Sequence, residues 1–231
     1  MKTLEFYQIV YHCEQRKHLY DFSITYDNNK PTPFLENEVI RSIVPQSNAD
    51  LIAVCSWQLK QKRHVIPSKH VLRENAALLS RQRILAHAFD VAILTPRLSG
   101  HKMLFMGAHW FGDTWVKAFS VLSEFLNERL ELNIPKELMY PIYENHFIAT
   151  GTVYKEYVSS CLEPVMKFMQ EESIFFHPSG YLKYQEQSAE FDKIKQYQKG
   201  IGMNDWIIGV FLLEHLFSIW INDQNLKVIN L

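Results

Sequence analysis

The chain opens on an apolar run. Residues 6–11, Phe-Tyr-Gln-Ile-Val-Tyr, are β-branched and aromatic with no Gly or Pro, which predicts a buried first strand. A polar cluster from His12 to His18 ends it. Residues 21–26 form a second short extended piece, closed by Asp27-Asn28-Asn29-Lys30-Pro31, a segment of strong turn chemistry. The period then changes: Leu35, Val39, Ile40 and Ile43 fall on one side of a predicted helix over 36–44 that Pro45 ends. Residues 51–57, Leu-Ile-Ala-Val-Cys-Ser-Trp, are the next clear strand and lead into a basic stretch over 60–69. A helix capped at Ser68 or an adjacent residue runs to about His87, and residues 90–94 form a strand stopped by Thr95-Pro96. Strands alternating with helices predict parallel βαβ units, whose ligands lie beyond the carboxyl ends of the strands.

In the second half, Trp115, Val116, Phe119, Leu122, Phe125 and Leu126 recur at helical spacing over 112–130. Residues 143–149 read as a short strand, Gly151 as a break, and 154–171 as an amphipathic helix. Residues 173–202 are polar and aromatic, with a turn at His177-Pro178-Ser179-Gly180. The most apolar segment, 206–221, is shorter than the roughly 20 residues a bilayer requires and holds Glu214 and His215, so it predicts a buried core helix. No repeat, low-complexity tract or linker divides the chain. The expectation is one α/β domain over 1–231, with a mostly parallel sheet flanked by helices.

Composition narrows the partners. With 24 basic and 25 acidic residues among 231, there is no cationic field to attract nucleic acid. Three scattered cysteines, Cys13, Cys55 and Cys161, fit reduced thiols better than a disulfide framework. Residues 1–6 carry neither an apolar signal core nor a small-residue cleavage site, and the expected setting is cytoplasmic.

Four groups of residues offer chemistry. The first strand with Glu14-Gln15-Arg16 and Asp27-Asn28 supplies amides and acceptors at a strand end, and Asp27 suits a ribose hydroxyl or a uracil N–H; a solvated loop with an Asx turn fits as well. Lys60, Lys62, Arg63, His64, Lys69, His70 and Arg73 follow the strand ending at Trp57. They could neutralise a diphosphate, although charge runs are commonly plain solvated faces. In Gly107 to Asp113, His109 and Asp113 bracket an aromatic pair; Asp113 suits a base or a helix N-cap, and two such residues are too few for a metal. On the last helix, Asn204, Phe211, Glu214, His215, Ser218 and Asn222 fall near one face, where Glu214 needs either a cavity or an internal salt link. The chain has no G-x-G-x-x-G, Walker loop, G-x-S-x-G, C-x-x-C, H-E-x-x-H or Asp-x-Asp.

In order along the chain stand Tyr7-Gln8-Ile9 with Glu14-Gln15-Arg16, Asp27-Asn28, Glu38 with Ile40, and Val54-Cys55-Ser56-Trp57 with Lys60 and Lys62. Asp90-Val91 with Pro96, the 107–112 segment, Asn145 to Ala149 and Phe211 to Ser218 complete the series. Together they resemble the glycosyltransferase-like proteins of bacterial lipopolysaccharide and capsule clusters. That resemblance implies a GT-A-like (Rossmann-like) domain, its nucleotide-binding part at about 1–100 and its acceptor part, mostly helical, at about 101–231. It implies a nucleotide-sugar donor near Tyr11, Gln15, Asp27, Lys60, Lys62 and Arg63, and a glycan or lipid-linked glycan acceptor, with Asp113, Glu214 or His109 as the base. It extends the expected setting to the periphery of the inner membrane.

Two departures stand out: Glu214-His215 replaces Glu-Arg, and His109-Trp110-Phe111-Gly112 replaces a His-Pro-Gly pattern. Without Asp-x-Asp, either the cations stabilise the leaving diphosphate or an isolated acid such as Asp90 holds a divalent cation with waters. Asp90 starts its strand, however, which puts it at the wrong end of the sheet. The rival expectation is a non-catalytic binding or scaffold protein on the same fold, with Tyr181, Tyr184 and Tyr197 as a contact surface.

Overall fold

The computed structural model describes residues 2–29, 32–60, 79–95, 103–142, 145–178 and 207–231, with backbone alone over 103–110. Lys62, Arg63, Tyr181, Tyr184, Tyr197 and Asn204 lie outside this set, as does most of the helix expected before His87.

Six strands form one sheet: β1 (Leu4–Val10), β2 (Ile24–Asp27), β3 (Leu51–Ser56), β4 (Val91–Ile93), β5 (Phe147–Thr150) and β6 (Val228–Asn230), in the spatial order β2-β1-β3-β5-β4-β6. β1 pairs in parallel with β2 and β3, and β4 with β6, whereas β5 runs antiparallel to both its neighbours. The sheet is therefore mostly parallel. Strand β3 is buried along its whole length, as a strand covered on both faces requires.

Alternate residues feed two cores. Ile52 and Val54 face a large cluster built with α1 (Glu36–Ile43), α3 (Met103–Leu130), α4 (Gly151–Tyr157), α5 (Glu163–Glu171) and α6 (Ile208–Asn222). Ala53 and Cys55 face a smaller one with Phe6, Tyr20 and Ile84, the last from α2 (Arg81–Ala86), which Ser80 caps through Arg83 N–H. In the larger core Phe217 stacks on Phe147 with ring centroids 3.7 Å apart and meets Tyr157 edge-on at 4.8 Å.

Two glycines fix local geometry. A Cβ on Gly151 would stand 2.4 Å from the Ala49 carbonyl oxygen, so only glycine lets α4 start where β5 ends. Gly112 has φ 65° and ψ −153°, breaking α3 between its two helical parts. Helical structure thus begins at Met103, upstream of the expected start, and a second helical part follows Gly112, as the apolar spacing over 112–130 predicts, with Gly112 rather than Asp113 in the non-helical position. Between α4 and α5 the chain widens into a π-turn, Val158–Leu162, just before Pro164, which lacks an N–H to continue the ladder. Among the described residues no helix is long and apolar enough to cross a membrane, and Ile208–Asn222 is a mostly buried helix where one was expected.

Candidate functional site at the carboxyl edge

From β1 the chain passes to β2 on one side and then, through α1, to β3 on the other. The strand order reverses there, and in open parallel sheets the crevice beyond that reversal is where ligands bind. Three strand ends lie level at it: Asp27 is in register with Val10, and Ser56 with Ile9.

The loop after β1 is tied by its own side chains. Gln15 Oε1 accepts from Tyr11 N–H at 2.7 Å and His12 N–H at 3.1 Å, which closes a capping box on the 3-10 turn Cys13–His18. Both Gln15 and Tyr11 are buried. Gln8, fully buried within β1, accepts from Tyr20 N–H at 2.7 Å and so fixes the far end of the loop. Asp27 is exposed and ion-paired with Arg16. Asn28 N–H donates to Val10 carbonyl at 2.8 Å, extending the parallel pairing past the strand end.

On the β3 side, Trp57 N–H donates to Ile9 carbonyl at 3.1 Å, and its half-buried indole stands 5.6 Å from the His18 ring at a tilt of 37°. Lys60 Nζ donates to Leu19 carbonyl at 3.3 Å and sits 5.6 Å over the Tyr20 ring. Burial, with Lys17 and Lys60 nearby, pushes the His18 pKa below its usual value, so the ring is neutral at pH 7.

A buried polar group lies toward the middle of the sheet. The β3–β5 ladder pairs Leu51 with Thr150 and Ile52 with Ala149, and beyond it side chains join the two strands. Ser56 Oγ lies 3.0 Å from His146 Nε2, and the Cys55 thiol donates to Asn145 carbonyl at 3.4 Å. Ser56, Thr95, Asn145 and His146 are all buried, and Asn145 takes φ 55°, a left-handed conformation that Asn tolerates. Burial foremost raises the pKa of Cys55, and of Cys161, well above the usual thiol range, so neither is a thiolate. Nothing in the local sequence pattern marks Ser56 with His146, or Trp57 with His18, as neighbours.

The acceptor-side candidates lie on α3 and α6. These helices pack in step, Phe111 against Phe211 at 4.7 Å and Trp115 against His215 at 6.1 Å. Asp113 is exposed, Glu214 half-buried and His215 buried, while His109 falls in the part of α3 described by backbone alone. Asp90 lies at the opposite, amino edge, where its carboxylate accepts from Lys227 N–H at 2.8 Å. That bond fits the wrong-end placement expected for it and takes up an acceptor a cation would need. Among the described residues no three His, Cys, Asp or Glu side chains gather as metal ligands.

A cavity of about 500 Å³ also opens at the amino edge, lined by Lys2, Asn48, Asp50, Thr150, Thr152 and Lys155 among others. Its acid is already engaged: Asp50 Oδ2 accepts from Thr3 N–H at 2.7 Å and Thr3 Oγ1–H at 2.8 Å. Compared with known protein families, curated proteins and solved structures, the chain matches none.

Proposed function

We propose that the chain is a glycosyltransferase that takes a sugar from a nucleotide-sugar donor and passes it to a bacterial surface-polysaccharide acceptor. The observation that carries the reading is the reversal of strand order between β1 and β3, with polar and cationic residues at both strand ends. The sequence resemblance described above supplies the reaction type. In this reading the domain is GT-A-like, the Arg16–Asp27 pair borders the nucleoside, and Lys60 keeps two N–H donors for a phosphate oxygen beside the one given to Leu19. Lys62 and Arg63 would add charge to neutralise the diphosphate, since Asp90 is remote from this edge. Glu214, Asp113 or His109 would take the proton of an acceptor hydroxyl. Its oxygen then attacks the anomeric carbon, and the diphosphate leaves with the bonding pair.

The test is a thermal-shift screen of uridine, guanosine, cytidine and thymidine sugar nucleotides. A donor present at 100 times its Kd stabilises by about 2.7 kcal/mol and raises the melting temperature measurably. A flat response to all of them overturns the reading.

A second reading, a non-catalytic binding protein on the same fold, is favoured by a different observation. Gln8, Gln15 and Lys60 already bond the protein's own backbone, so the loop after β1 is built to be held as well as to hold. It predicts that a donor binds but that no free nucleoside diphosphate is released, with or without oligosaccharide acceptors.

A further inference from the structure

We propose that Trp57 and His18 form a stacking platform for the base of the nucleotide, so that the base is held by its π face rather than read by its hydrogen-bonding edge. This rests on the donor-binding reading above. Trp57 stands where β3 ends, at the reversal of strand order, fastened to β1 by its N–H to Ile9, and its indole is half-buried. His18 closes the 3-10 turn that follows β1, and its ring centroid lies 5.6 Å from that of Trp57. The turn itself is braced by Gln15 at one end and by Gln8, through Tyr20, at the other, which fixes the backbone that carries His18 before a ligand arrives.

Two of the hydrogen-bonding groups nearby are committed elsewhere. Asp27, the acid suited to a uracil N–H, is ion-paired with Arg16, and Gln15 Oε1 is shared by two backbone donors. What the end of β3 offers a base is aromatic surface, with the Lys60 ammonium three residues on for the attached phosphate. Every nucleobase has a π face, so such a platform tolerates base identity. The neutral His18 ring stacks without bringing a second positive charge beside Lys60.

The experiment is an NMR titration of protein labelled at the indole nitrogens, with the Trp57 peak assigned by its loss in Trp57→Phe. UMP and AMP are expected to shift that peak upfield to similar extents, while ribose 5-phosphate, which lacks a base, leaves it in place. Trp57→Ala is expected to weaken both nucleotides about five- to a hundredfold, and Trp57→Phe to retain most of the affinity. Nucleotides that bind without moving the Trp57 peak, and equally well to Trp57→Ala, overturn the platform and leave donor binding standing. A shift caused by methyl glucoside but not by UMP or AMP also overturns it. Absence of any nucleotide binding removes both the platform and the donor reading. The wild-type shift needs no variant, so a misfolded Trp57→Ala does not blunt the result.

Discussion

The two edges of the sheet use similar residues to different ends. At the amino edge, acids sit beside strand starts and each is closed onto backbone: Asp50 accepts from Thr3, and Asp90 from Lys227. Thr150 caps α4 through Val153 N–H, and Gly151 lets the backbone of the preceding loop pass within contact of the helix start. At the carboxyl edge the acid Asp27 is paired instead with another exposed side chain, Arg16, and the aromatic ring of Trp57 remains half open. The lesson is that a polar residue near a strand end carries no function by itself. The amino edge fastens strands to one another, whereas the carboxyl edge fastens a loop and leaves the Trp57 ring half-buried.

The contrast is most severely tested by Gly151→Val. A side chain there must displace the Ala49 carbonyl, and overpacking of this kind costs about 3 kcal/mol. The melting temperature should fall by roughly 6–12 °C, given about 2–4 °C per kcal/mol for a chain of this size. Nucleotide affinity of the folded fraction should not change, because the opposite edge is untouched.

Gln8→Leu probes the carboxyl edge in the same way. It leaves the Tyr20 N–H buried without its acceptor, a loss of about 1–3 kcal/mol seen in the urea midpoint. Here nucleotide affinity should fall as well, since the turn carrying His18 loses its brace.

Smaller still is the pH dependence of Asp50→Asn. The Thr3 donors hold the Asp50 carboxyl below its usual pKa, so the folded state keeps it ionised at a pH where the unfolded chain has begun to protonate. Its contribution is fully present above the unfolded value of about 3.9 and is lost as the pH falls through the folded one. The difference in urea midpoint between wild type and Asp50→Asn should therefore be constant from pH 7 to 5 and shrink on further acidification.

Arg16→Ala should have the least effect on stability, within about 0.5 kcal/mol, because an exposed ion pair contributes little. It should still weaken nucleotide binding if the Arg16–Asp27 pair borders the crevice. A loss of stability with no loss of binding would make the carboxyl edge resemble the amino one.

Much of the sheet was legible because its strands are short, apolar and punctuated. Val54 and Cys55 announce β3, and Pro96 follows β4 closely. The direction of β5 was not legible: a four-residue apolar run has no polarity, and its antiparallel course depends on how the chain returns from α3. β6 was missed because Val228-Ile229-Asn230 is too short to display a period. The upstream part of α3 was hidden for the opposite reason. Residues 103–111 are apolar nearly all round and so show no helical period, whereas the helical part after Gly112 was legible from its spacing.

For the site, single residues were legible and pairings were not. Asp27 reads as a useful acid, yet its engagement with Arg16 is a matter of how a loop folds back over eleven positions. Ser56 and His146 are separated by 90 residues, and only the insertion of β5 between β3 and β4 joins them. Gln15 reads as a ligand contact from its place after a strand, but its Oε1 is taken up by the backbone N–H groups of Tyr11 and His12.

Hydrogen-exchange footprinting of the full chain with a sugar nucleotide tests most directly which edge is the binding edge. Slowed exchange is predicted at residues 11–18, 27–28 and 56–60, with no change at 47–51 or 150–155. Protection confined to the residues around Asp50 and Thr150, or found nowhere, would contradict the assignment of the ligand site to the crevice between β1 and β3.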